Sequence, residues 1–340
     1  MLACCSSNAI LTKIRAIFGQ RLTDADYAQM ARKKDVGEVA AYLKEHSSYR
    51  RTLEGVRETE VHRGQLEALL KKDTFYKYVS LLRYDFSGVD FYDYILVRRE
   101  IEEILRRISA IGSGRQDAYL IDLPGYLVQR TSFSLKELAA ADTKEALLRC
   151  LQGTPYHKLL AGLLQKDAAL NLLACEGALY RYYYQNLLQS VDGAFSGKIR
   201  KQLRALLLCE IDARNVETVF RLRHIYKMPA DAVRPLLLPW SGSLKREKLE
   251  LLLRQEDAVL PAGLLRGLPE GQPPEDFIEL QTHSWRYRFD QRSLRFSTDA
   301  PVCMYAFLAL RDLEVENIIT VIEGVRYQLP QEEILSLLIQ

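Results

Sequence analysis

One helical face is written three times along this chain. Ile101, Ile104, Leu105 and Ile108 recur as Val216, Val219, Phe220 and Arg223, and again as Ile318, Val321, Ile322 and Val325, at offsets of 115 and 102 residues. Positions i, i+3, i+4 and i+7 share one side of a helix, so each copy presents an apolar stripe, interrupted only where Arg223 intrudes on the second. Asn215 and Asn317 stand immediately before the second and third stripes. Asn is a poor helix former, so its return at one offset points to a common ancestral unit rather than to convergence. The spacing predicts three divergent helical modules, residues 1–112, 113–227 and 228–340.

Elsewhere the apolar period is also helical: Ile10 to Phe18, Val36 to Leu43, Leu66 to Leu82, Tyr92 to Ile108, Ala146 to Leu164, Ala168 to Leu188, then residues 198–225 and 302–325. Strand-like alternation is confined to Trp285-Arg286-Tyr287-Arg288-Phe289, too short to build a sheet. The expected fold class is all-α. Breakers separate the modules, with Gly112-Ser113-Gly114 closing the first and Met228-Pro229 through Pro239-Trp240-Ser241-Gly242 opening the third. Pro261 to Pro274 reads as a loop within the third.

A corner motif precedes two of the helices. Leu43, Ser47 and Tyr49 in the first module correspond to Leu151, Thr154 and Tyr156 in the second, each after an amphipathic run. A hydroxyl side chain satisfies backbone groups where a helix ends, and a Tyr two residues on covers the corner with its ring while its OH stays wet.

Composition narrows the function. A net charge of +3, from 47 Lys plus Arg against 44 Asp plus Glu, gives no sign of a polyanion partner such as nucleic acid. Cys4, Cys5, Cys150, Cys175, Cys209 and Cys303 never adopt Cys-x-x-Cys spacing and read as small buried thiols. Leu2-Ala3-Cys4 has the order of a lipoprotein cleavage site, but no basic and apolar leader precedes it, so a reducing cytoplasm is expected. The longest apolar run, Pro301 to Leu310, ends at Arg311 and Asp312, well short of the roughly 20 residues that cross a bilayer.

Catalytic signatures are missing. Gly193-Ala194-Phe195-Ser196-Gly197-Lys198-Ile199 has three residues between its glycines where a phosphate loop needs four, and Ile199 stands where Ser or Thr would hold the metal; it reads as a helix-to-helix connection. His46, His62, His157, His224 and His283 are scattered, without ligand spacing. Neither a nucleophile elbow nor a zincin motif occurs. Tyr180, Tyr183, Tyr184 and Leu187 share a helix side that Arg181 does not, which suits packing against a neighbour better than base stacking. Glu100, Glu102 and Glu103, among Arg98, Arg99, Arg106 and Arg107, read as a solvated face with pairs such as Glu102 and Arg106.

Four segments together carry a family resemblance: Lys13-Ile14-Arg15-Ala16; Leu151-Gln152-Gly153-Thr154-Pro155-Tyr156; Glu210-Ile211-Asp212-Ala213-Arg214-Asn215-Val216; and Leu313-Glu314-Val315-Glu316-Asn317-Ile318 leading to Ile322-Glu323-Gly324. In order and spacing, over nearly the whole chain, the sequence resembles the central-stalk subunit of rotary V/A-type ATPases, called C in prokaryotic enzymes and d in eukaryotic ones. It departs from that pattern at Asn8, where an aromatic is usual, at Ser47 in place of Thr and at Glu100 in place of Asn.

The resemblance implies three similar helical domains arranged as a pseudo-threefold funnel on the cytoplasmic face of the membrane. The implied partners are the proteolipid ring of the membrane sector and the central-shaft subunits D and F, with no nucleic acid and no membrane span. It implies coupling without bond chemistry: no catalytic, cofactor-binding or metal-ligating residue is assigned, and no cofactor. The competing reading is an all-α adaptor binding another soluble protein. Solenoid adaptors repeat at about 20–50 residues, and spacings of 115 and 102 favour whole domains.

Overall fold

The computed structural model describes residues 2–85, 88–113, 127, 130–166, 171–256, 260, 263–265, 267–268 and 278–340. The elements they form are helices: α1 (Leu2–Phe18), α2 (Asp24–Met30), α3 (Val36–His46), α4 (Arg63–Leu82), α5 (Tyr94–Ser113), α6 (Leu135–Ala140), α7 (Lys144–Cys150), α8 (Pro155–Lys166), α9 (Leu172–Ala194), α10 (Gly197–Phe220), α11 (Ala230–Val233), α12 (Arg246–Arg254), α13 (Ile278–Phe296), α14 (Ala300–Arg326) and α15 (Gln331–Ser336). The starts are set locally. Thr23 forms a reciprocal capping box with Asp26, and the side chains of Asp35, Ser134, Thr143 and Asn171 each accept an otherwise orphaned N–H in the first turn of α3, α6, α7 and α9.

The chain divides into two compact units, Met1–Gly88 with Ser196–Ile225 and Ser241–Gln340, and Val89–Phe195 with Tyr226–Trp240. Unit one is built around α14, whose 27 residues are buried on nearly every side. A helix apolar all round belongs in an interior. It is flanked by α1, α4, α10 and α13, and Val39, Leu43, Leu66 and Leu70 close on Ile318, Val321 and Ile322. In unit two, α5 packs along α9, with α6, α7 and α8 beside them. The alternating Trp285–Phe289 segment lies inside α13.

The repeated stripes are the inner faces of α5, α10 and α14. Ile101, Ile104, Ile108, Val216, Val219, Phe220, Ile318, Val321, Ile322 and Val325 are buried, and Leu105 is half-buried. Arg223 does not break the second stripe. The helix widens into a π turn at Arg221–Ile225, which shifts the register so that Leu222 and His224 face inward. Half-buried Arg223 then donates through Nε to the Leu253 carbonyl at 2.7 Å. The buried Asn317 is held by a paired contact: its Nδ2 donates to the Ile339 carbonyl at 3.0 Å and its Oδ1 accepts the Ile339 N–H at 2.7 Å.

Both corners form as the hydroxyl chemistry dictates. Ser47 Oγ donates to the Leu43 carbonyl at 2.5 Å and accepts the Tyr49 N–H at 3.1 Å, while Thr154 Oγ1 donates to the Leu151 carbonyl at 2.6 Å. The tyrosine hydroxyls, however, are not wet. Tyr49 and Tyr156 are buried whole, because a carboxylate waits for each inside the fold.

Gly114, the start of the Ala168–Leu188 run, and most of Pro261–Pro274 lie outside the described residues, as do the side chains of Cys4 and Cys5. Cys175, Cys209 and Cys303 are buried free thiols, and burial raises each above its ordinary pKa. Cys150, expected to be buried too, is only half-buried because α7 turns it toward the surface side of the Ser134 carbonyl. Among the described residues no helix is long and apolar enough to cross a membrane.

Candidate functional site

The densest chemistry lies inside unit one, around Arg311 at the middle of α14. Its side chain is 2% exposed. One guanidinium nitrogen donates to Asp73 Oδ2 at 2.9 Å and the other to Glu314 Oε1 at 2.5 Å, so one planar fork ties α4 to α14. Tyr49 donates its hydroxyl to Glu314 Oε1 at 2.9 Å and lays its ring 4.6 Å beneath the guanidinium. Thr52 Oγ1 donates to Asp73 Oδ1 at 2.8 Å, Lys77 Nζ bonds Asp73 Oδ2, and the Leu22 N–H reaches Glu314 Oε2 at 3.3 Å. Burial pulls the Arg311 pKa down, but Tyr49, Glu314 and Asp73 outweigh it and hold the group charged. Burial keeps the Tyr49 phenol neutral, hence a donor.

Similar locks recur on the other long helices. In unit two, Tyr156 donates to Glu100 Oε2 at 2.6 Å, and Ser132 N–H also bonds Glu100. In unit one, Tyr305 donates to Glu210 Oε2 at 2.5 Å, with Arg286 3.7 Å from the same oxygen. Asp212, two residues on, accepts the N–H groups of Gly242, Ser243 and Leu244 at 3.0, 2.7 and 3.0 Å, fixing the turn that leads to α12. Beside these groups Asp290 is buried; desolvation, opposed by Arg286 and reinforced by Glu210, pushes its carboxyl up to about 7. His283 bridges α13 to α14 and α10, with Nδ1 2.9 Å from Glu316 and Nε2 3.6 Å from Glu217. Burial alone would lower its pKa, but the two carboxylates raise it overall.

Each motif singled out from sequence can now be placed. The Gly193–Ile199 segment joins α9 to α10, as its spacing implied. Tyr180, Tyr183, Tyr184 and Leu187 are buried, and Arg181 turns away to donate to the carbonyls of Pro235 and Leu237 at 2.8 and 3.1 Å. The acidic and basic cluster on α5 is not a solvated face. Glu100, Glu103, Arg99 and Arg107 are buried, Arg107 donating to the Ala141 carbonyl at 2.6 Å, and Glu102 pairs back to Arg98 and Arg99. Among the described residues no group of three His, Cys, Asp or Glu side chains is placed to hold a metal.

Sequence reasoning misses Arg311, Asp73 and Lys77. Arg311 reads there only as the end of an apolar run, yet Leu313 and Val315 carry that run past it, the signature of a cation held within a core. The network contains acceptors, donors and a fixed cation but no exposed nucleophile. It clamps helices together.

The ATP synthase (C/AC39) subunit family model matches residues 10–337. The C subunit of the A-type ATP synthase of Pyrococcus horikoshii is 26% identical over 269 residues, covering 78% of this chain and 69% of that protein. Those of Methanosarcina mazei and Methanocaldococcus jannaschii are 25% and 28% identical, covering 71% and 69% of this chain and 66% and 61% of their own length. The chain thus spans about two thirds of the length of these curated relatives. With the model matched across all three stripes and both corners, the chain belongs to the ATP synthase (C/AC39) subunit family.

Proposed function

We propose that this protein is the non-catalytic central-stalk subunit of a V/A-type rotary ATPase, coupling ATP turnover in the catalytic head to proton or sodium ion movement in the membrane sector. The family match over residues 10–337 carries the reading. Its partners are the proteolipid ring on one side and the shaft subunits D and F on the other, at the cytoplasmic face of the membrane. A part that passes torque needs stiffness, and ion-locked long helices supply it.

Three modules, 1–112, 113–227 and 228–340, form a pseudo-threefold funnel in this reading. The locks support it by running in a cycle. Tyr49 of the first module bonds Glu314 of the third, the Gly242–Leu244 turn of the third bonds Asp212 of the second, and Tyr156 of the second bonds Glu100 of the first. Every module thereby grips the long helix of the one before it.

Deletion in the host, with purification of the remaining complex, tests the function. Head ATPase activity should persist while ion transport driven by it disappears, and the purified chain should co-elute with D and F. Transport that survives deletion overturns the reading.

A further inference from the structure

We propose that one end of unit one, where the start of α10 meets the end of α13 and the second half of α1, docks onto an anionic phospholipid surface. Hydrogen bonds and an ion pair bring these segments together. Arg15 donates to the Ser297 carbonyl at 3.3 Å, Ser297 Oγ lies 3.5 Å from Gln202 Oε1, and Lys198 Nζ lies 3.9 Å from Asp299 Oδ2.

Six cations at this end are exposed: Arg15, Lys198, Arg200, Lys201, Arg292 and Arg295. Asp299 is an acid set among them, and Asp85 follows Tyr84. In a chain whose net charge is only +3, that is a strong segregation of sign. An aromatic projects from the same place: Phe296 is 69% exposed, with the Arg295 guanidinium 5.6 Å from its ring centre. Because α4 runs antiparallel to α14, its C-terminal end brings Tyr84 to this side, 38% exposed and 3.5 Å from Lys13 Nζ.

Exposed cations around protruding aromatic rings are the composition of an interfacial contact, the rings entering the headgroup layer and the cations meeting phosphates. The cations come from three separate helices, α1, α10 and α13, and Phe296 ends the third, an arrangement that suits a plane of headgroups. The proposal rests on the stalk reading only in that such a subunit works beside a bilayer.

The test is co-sedimentation of the full chain with vesicles of phosphatidylcholine alone and with vesicles containing phosphatidylglycerol. Binding should appear only with the anionic vesicles and weaken as salt rises. Replacing Lys198, Arg200 and Lys201 by Glu should weaken it by on the order of a hundredfold. The charge-matched replacement of Arg50, Arg51 and Arg57 by Glu should change it little, with melting temperature reported for both. Phe296→Ser should weaken binding several-fold at unchanged charge. Equal behaviour on both vesicle types, or equal loss in both triple variants, overturns the proposal. So does patch-dependent binding to the isolated proteolipid ring in detergent without binding to vesicles. The deletion experiment above is independent of all these outcomes, so failure here leaves the stalk reading intact.

Discussion

Tyr49 donates its hydroxyl to the same Glu314 oxygen that Arg311 grips, at 2.9 and 2.5 Å, although 265 residues separate the tyrosine from the glutamate. One carboxylate therefore fixes a corner after α3 and a buried cation on α14, while its second oxygen holds the Leu22 N–H ahead of α2. Low local dielectric makes such a junction stiff when complete and costly when broken.

Arg311→Met should expose that cost. Glu314 would stay buried without a cation and Asp73 would keep only Lys77, for a loss of about 3–5 kcal/mol. Arg311→Lys should recover only part of it, because an ammonium cannot serve both carboxylates through one planar fork. Urea unfolding followed by circular dichroism measures both. A Met variant within about 0.5 kcal/mol of the parent would show that the network holds nothing.

Tyr156→Phe should report on unit two alone. It removes the hydroxyl donated to Glu100 and leaves the ring packed edge-on against Phe133, so the loss should be about 1–3 kcal/mol. Tyr49→Phe in unit one shares no partner with it, so the double variant should show the sum of the two losses. A clear departure from additivity in thermal or urea unfolding would contradict independent locks.

Much of this was legible in the sequence. The stripes on α5, α10 and α14 were readable because burial of one face writes its period into the residues, and the corners because Ser47 and Thr154 act on backbone only a few positions away. The locks were not. A Tyr bonded to a Glu 265 residues away leaves no local period, and Glu100 looks like any helix-surface acid until its neighbours are known. Arg223 misled for the opposite reason: a π turn changes the register that the stripe presumes.

Asp290 should make stability fall as pH rises. Its carboxyl titrates near 3.8 when unfolded and about 7 when folded, so between those values the folded chain holds a proton that the unfolded chain has released. Asp290→Asn should remove that slope, gaining on the order of 4 kcal/mol at about pH 8 and almost nothing at about pH 4. His283 adds a second loss at higher pH. Its folded pKa lies above 6.5, so its contribution is complete below 6.5 and disappears as pH climbs through the folded value. Urea midpoints across pH should therefore flatten in the acid window for Asp290→Asn while keeping the later fall. An unchanged acid window would refute the assignment.

Gly324 should prove intolerant of any side chain. A Cβ there would meet Ile334 Cγ1 at 2.5 Å and Cδ1 at 2.9 Å, where α15 folds back over the end of α14. Ile334 is fully buried, so it cannot swing aside without vacating its place in the core. Gly324→Ala gains helix propensity of roughly 1 kcal/mol and should still destabilise, because overpacking costs about 1–3 kcal/mol. The damage should be local. Hydrogen exchange should quicken over Gln331–Ser336 and at the Ile339 amide, which closes on Asn317 Oδ1, while α5 and α9 in unit two keep their protection. Pairing the variant with Ile334→Ala, which makes room for the added methyl, should restore part of the protection around α15. If the double variant is no better protected than Ile334→Ala alone, and Gly324→Ala exchanges like the parent, the close approach of the two helices is not what demands glycine.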